Sequence, residues 1–177
     1  MIKLNSVDGM RCIDLFAALD AFAISYFDLF KKGEVVEIED EDEFRSKLRA
    51  LWQTKNNDAF IEKYIASKNV KSEDASLLRS WKNRVKATYI ILKYTRDYVV
   101  FYCMDDNTYY AVLCLTQSLK NMVPQKPPYM AQTTLLPYKN SIIYDGLIAP
   151  YRVVFGKNMC ASIKEEFQQA IVKTTLI

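Results

Sequence analysis

Three observations predict an α+β fold, with an N-terminal helical bundle followed by a small antiparallel β-sheet or barrel of about five strands and a C-terminal helix. Helical periodicity and capping residues dominate up to about residue 85. β-Branched and aromatic residues then run in short segments separated by tight polar breaks, and helical spacing returns after residue 156. Helices come first, then strands, then a helix, without βαβ alternation. This order predicts one composite domain over the 177 residues, mainly helical over 1–85, mainly β over 86–156 and helical over 157–177.

The first helix is predicted from Gly9 to Lys32, with Asp8 as N-cap, Lys31-Lys32 on the C-terminal dipole and Gly33 beyond the end. At 100° per residue, Ile13, Phe16, Asp20, Ile24, Phe27 and Phe30 share one stripe, with Leu15, Phe22 and Leu29 opposite. That two-sided apolar character points to burial on both sides or to a partner. Asp20 sits in the broader stripe, where a carboxylate needs a cation, backbone N–H groups or a ligand. It is the leading site candidate of this half; the competing reading is a structural pairing with a basic residue of a later helix.

Val35 to Ile38 reads as a short extended piece. The acids Glu39 to Glu43 lack the internal glycine and spacing of a calcium loop and load the start of a helix ending near Trp52. Two shorter helices follow, Asp58 to Ser67 behind Asn57 and Glu73 to Arg84 behind Ser72. From Lys86 three strands are expected, broken at Arg96-Asp97 and Asp105-Asp106-Asn107. A fourth runs from about Met130 to Leu136, and Lys139-Asn140 turns the chain into a fifth from Ser141 to Leu147. Ser162-x-x-Glu165 forms a capping box for the last helix, with an earlier start at Asn158 as the alternative.

Composition narrows the chemistry. Hydrophobic residues make up 50% of the chain, enough for a core. Four glycines and five prolines leave no linker or low-complexity tract. Cys12, Cys103, Cys114 and Cys160 contain no C-x-x-C pair and sit among apolar neighbours, as reduced thiols of a cytoplasmic protein do. The N-terminus lacks signal-peptide design, and no membrane span is expected. The absence of histidine removes Ser-His-Asp and Cys-His nucleophiles, imidazole bases and His-containing metal sites. No cofactor, catalytic set or metal-ligand set is predicted.

The densest motif is LLPYKNSIIYDGLIAPYRVVFG, Leu135 to Gly156, in which two apolar β-type runs are punctuated by Pro137, Asn140, Asp145-Gly146 and Pro150. Lys139, Tyr144, Asp145, Tyr151 and Arg152 are its candidate binding residues. The competing reading makes the prolines, Asn140 and Gly146 turn formers and Asp145 an Asx-turn acceptor. The segment resembles the LLPFK...IIYDGL element of a loose group of bacterial and archaeal proteins, in which an SWK-containing helix and a strand meander also precede it. Ser80-Trp81-Lys82 and the strands from Lys86 stand here in the same order, with Tyr138 in place of the phenylalanine. The likeness covers roughly the second half of the chain. It implies that order of elements and a prokaryotic or phage setting, and it carries over no catalytic residue.

Charge is lopsided: residues 1–44 hold four basic and eleven acidic side chains, net −7, against +3 for the whole chain. Arg79, Lys82, Arg84, Lys86, Lys93 and Arg96 lie beside Trp81, Tyr89 and Tyr94, a mixture suited to phosphates and stacked bases. The leading expectation is a non-enzymatic module that binds another protein, or a second copy of itself, through an exposed helix face or sheet edge. Nucleic-acid binding through residues 79–98 is the alternative, with Arg79, Trp81, Lys82, Arg84 and Tyr94 as candidates. Third is a metal-dependent carboxylate hydrolase or nuclease using Asp20 or Asp145.

Overall fold

The structure, a computed structural model, describes residues 2–30, 40–54 and 58–176. The fold is α+β. The chain divides into two compact units, Arg11–Lys82 and a second made of Met1–Met10 with Asn83–Ile177.

The helical unit contains most of α1 (Ser6–Tyr26) together with α2 (Glu41–Trp52), α3 (Asp58–Lys68) and α4 (Ser72–Ser80), the last running into a 3₁₀ turn. Helix α1 begins three residues before the expected Gly9, because Asn5 rather than Asp8 caps it. The Asn5 side-chain oxygen accepts from the Asp8 N–H at 2.9 Å, and its amide donates to the Asp8 carboxylate at 3.0 Å. The helix also ends early, at Tyr26 rather than Lys32. Asp28 takes a left-handed φ of 50°, and the Leu29 N–H reaches back to the Ile24 carbonyl at 3.1 Å, closing the end in the Schellman manner. Lys31-Lys32-Gly33, the extended piece Val35 to Ile38 and the Asn57 cap lie outside the described residues.

The most buried stripe of α1 is Cys12, Leu15, Phe16, Leu19, Asp20 and Ala23. The buried face thus includes the small residues Cys12 and Ala23 and not the large side chains alone. Asp40 caps α2 by accepting from the N–H groups of Asp42 and Glu43 at 3.0 and 2.9 Å, so the acidic run does load a helix start. At α4 the expected Ser72 cap is replaced: Lys71 holds the N-cap position without a side-chain hydrogen bond. The α-helix there stops at Ser80 instead of Arg84, and Trp81–Asn83 continue as 3₁₀.

The second unit is a closed five-stranded barrel built from β1 (Val85–Tyr94), β2 (Val99–Cys103), β3 (Thr108–Leu113), β4 (Tyr129–Tyr138) and β5 (Ser141–Tyr144). Strand order is β1-β2-β3-β5-β4, and β4 returns to pair with β1 from Val85↔Leu135 to Ile91↔Tyr129. Closure removes most open edges. Not every pair is antiparallel as expected: β3 and β5 run parallel at Val112↔Ile142 and Leu113↔Ile143. The crossover through the short helix α5 (Leu119–Met122) and the prolines lays β4 beside β1, and the hairpin then sends β5 back along β3. Near the N-terminus, the Leu4 N–H donates to the Cys114 carbonyl and the Cys114 N–H to the Ile2 carbonyl, each at 2.9 Å, which ties the first residues to the barrel.

Strand β5 ends at Tyr144 rather than Leu147, because Gly146 adopts a φ of 86° that only glycine takes without strain. The second apolar run forms only the two-residue β6 (Ala149–Pro150), paired with Ala131 and Gln132 of β4. Helix α6 spans Lys157–Gln168, followed by β7 (Val172–Lys173) beside β3. The capping box is therefore not a helix start: Ser162 lies inside α6 and its hydroxyl donates to Glu166 at 3.2 Å.

Tyrosines fill much of the barrel. Tyr89 donates to the Val85 carbonyl at 2.8 Å, Tyr110 to Asp106 at 2.9 Å, and Tyr144 to the Met122 sulfur at 3.5 Å. Each large ring thus buries its apolar body while its hydroxyl keeps a partner. Burial pushes all three phenols well above the ordinary tyrosine range, so they remain neutral donors.

Candidate functional site

Asp20 is buried in the helical unit, where it accepts from the Trp52 indole at 3.0 Å and from Arg49 Nε at 3.3 Å. Arg49 in turn lies over the Phe16 ring, 4.8 Å from its centroid. Burial raises the Asp20 carboxyl despite the opposing pull of Arg49 and the Trp52 hydrogen bond. All of these partners come from the chain itself, and the basic one stands on the next helix, as the structural reading has it.

The basic, aromatic segment separates into unlike parts. Arg79 and Lys82 both bind Glu62, at 3.2 and 2.8 Å, and Lys82 first and then Arg79 hold that carboxyl below its usual range. Trp81 is fully buried and stacks on Phe16 with centroids 4.6 Å apart. Arg84 and Tyr89 are buried as well. Lys86, Lys93 and Arg96 are exposed, but the rings expected to stack on bases beside them are turned inward.

Tyr94 is turned inward by a bulge. The β1–β2 register slips between Ile91 and Lys93, so the strand carries one extra residue there. Ala87, Tyr89 and Ile91 pack in the barrel interior; after the bulge the inward position passes to Tyr94, whose hydroxyl meets that of Tyr129 at 3.2 Å. Leu92 and Lys93, adjacent in sequence, consequently face the same outer pocket beside α6. Sequence reasoning missed this site. No local signal marks it, since in sequence Lys93 and not Tyr94 continues the alternation of Tyr89 and Ile91.

The Lys139–Arg152 group does not assemble on one accessible surface. Lys139 pairs with Asp8 at 3.0 Å, and the neighbouring Tyr138 hydroxyl and then Lys139 hold the Asp8 carboxyl below its usual range. Tyr144 points into the barrel. Asp145 is buried and accepts from the Leu147 N–H at 3.1 Å, an Asx turn that stabilises the end of β5, while the Thr133 hydroxyl, 3.3 Å from the Asp145 carboxylate, donates to the Leu147 carbonyl at 2.6 Å.

Tyr151 and Arg152 belong to a different environment. From Ala149 to Val154 the side chains are exposed, with Val153 at 47% and Val154 at 94%. The Tyr151 N–H still bonds the Met130 carbonyl at 2.9 Å, and beyond it the chain runs free of secondary structure to Gly156. In the strand order β6 is terminal, so its outer edge has no strand beside it among the described residues.

No family model, curated protein or solved structure matches the chain.

Among the described residues, 149–154 thus combine exposed apolar side chains with an open strand edge. Among the described residues no three Cys, Asp or Glu side chains gather where a metal ion could be held, and no helix is long and apolar enough to cross a membrane.

Proposed function

We propose that the protein is a non-enzymatic interaction module that binds another protein by strand addition along β6 and its continuation to residue 155. The observation that carries this reading is the exposure of Val153 and Val154 beside the open edge of β6. A partner strand laid on this edge would satisfy backbone groups and cover the valines, each worth about 1.5–3 kcal/mol on full burial. Proline at position 150 shortens the edge that the chain offers to itself, a common protection against uncontrolled pairing. The first helix supports the reading less, since Phe22 packs on Tyr26, Phe60 and Tyr64 of its own unit.

Nucleic-acid binding is the competing proposal, favoured by the charge of the barrel unit. Residues 1–10 and 83–177 carry twelve basic and seven acidic side chains, net +5. A photo-crosslinking amino acid placed at position 154 separates the two. Protein adducts from host lysate that survive nuclease treatment, exceed those formed from exposed position 86, and vanish with Val153→Lys support strand addition. Equal adducts at 154 and 86, or adducts lost on nuclease treatment, overturn it.

A further inference from the structure

A pocket of about 290 Å³ opens between α6 and the bulged end of β1, walled by Leu92, Pro128, Ile163 and Phe167. Lys93, Cys160 and Gln168 complete its lining. The bulge creates it: regular alternation would send either Leu92 or Lys93 into the barrel, whereas the extra residue places an apolar wall and a cation side by side outside.

We infer that this pocket binds a medium-chain aliphatic carboxylate, with the chain against Leu92, Ile163 and Phe167 and the carboxylate on the Lys93 ammonium. Size is the first argument: the volume stands at the lower end of small-molecule sites, which suits a narrow ligand. Charge is the second. Lys93 Nζ lies 4.6 Å from the Phe167 ring centroid, held at the pocket rim, and it has no carboxylate partner among the described residues. Because Lys93 is exposed, a bound carboxylate stays at the solvent boundary and escapes the cost of burying a charge. The C-terminal carbonyls of α6 oppose an anion nearby, but they amount to about half a charge against a full one on Lys93.

Cys160 supplies the readout. It lines the pocket and is partly accessible, whereas Cys12, Cys103 and Cys114 are buried, so a water-soluble thiol reagent labels Cys160 first. Decanoate below its micelle concentration, at ten times its Kd, slows that labelling about tenfold, because only the unliganded fraction reacts. Decanol, with the same chain and no charge, protects at least about tenfold more weakly, as does decanoate on Lys93→Gln, a loss typical of a hydrogen bond to a charged group. Equilibrium dialysis with labelled decanoate gives the same ranking. No protection by decanoate, equal protection by decanol, or unchanged decanoate binding by Lys93→Gln overturns the inference.

Discussion

Trp52 donates its indole N–H to one carboxylate oxygen of Asp20 at 3.0 Å, while Arg49 approaches the other at 3.3 Å. The helical unit thus contains a buried carboxylate held from two sides by one helix. Asp20→Ala leaves both donors facing a void and is expected to cost about 3 kcal/mol. Both tryptophans of the chain lie in this unit, so urea denaturation followed by their fluorescence measures the loss.

The pH dependence has a definite sign. Burial raises the folded-state affinity of Asp20 for its proton, so its contribution is fully present below the unfolded value near about 3.9 and is lost as pH rises through the folded value. The margin of the wild type over Asp20→Asn therefore narrows as pH rises above the unfolded value. A margin that widens over this range in urea melts contradicts the dominance of burial.

Tyr94 and Tyr129 share a hydroxyl contact at 3.2 Å inside the barrel. Each Tyr→Phe change is expected to cost about 1 kcal/mol, and the double change less than their sum, because either one already removes the contact. A double-mutant cycle on the near-ultraviolet dichroism of the tyrosines checks it; strict additivity refutes the coupling.

Gly9 tests propensity against packing. Alanine gains about 1 kcal/mol in helix propensity. A Cβ at this position, however, would lie 2.9 Å from the Leu115 carbonyl oxygen and 3.0 Å from the Thr116 methyl. Backbone cannot yield as a flexible side chain does, so Gly9→Ala is expected to destabilise the barrel unit by about 1–3 kcal/mol. A raised melting temperature would show that the helix start shifts instead.

At the end of β5, Gly146→Ala forces a side chain into the left-handed region and should cost about 1–2 kcal/mol. Asp145→Ala removes the acceptor of the Leu147 N–H and should cost about 2 kcal/mol. By contrast Val154→Lys, at a side chain 94% exposed, changes stability by less than about 0.5 kcal/mol. Thermal melts that rank the three otherwise would reverse the assignment of scaffold and surface.

Much of the fold was legible because it is locally encoded. The acids at 40–43 complement a helix dipole whatever follows, and Asp105-Asp106-Asn107 turns a hairpin through the left-handed Asn107 with a φ of 54°. Where two local signals compete, one wins by detail: Asn5 outbids Asp8 as a cap because it also bonds the Asp8 carboxylate, and Asp28 ends α1 before the later glycine is reached. The site residues fared differently. Trp81 and Tyr94 look like stacking rings in sequence, yet stacking on Phe16 and the bulge after Ile91 turn them inward.

By itself the sequence determined the α+β order, the number of barrel strands, the turns and a chemistry without histidine, since each depends on neighbours a few residues apart or on composition. Tertiary structure alone decided the parallel β3–β5 pair, the partner of Asp20, the parity switch at Leu92 and the exposure of Val153 and Val154. Those features depend on pairings between residues distant along the chain, and no local periodicity reports which strand edge is covered or which face a bulged residue meets.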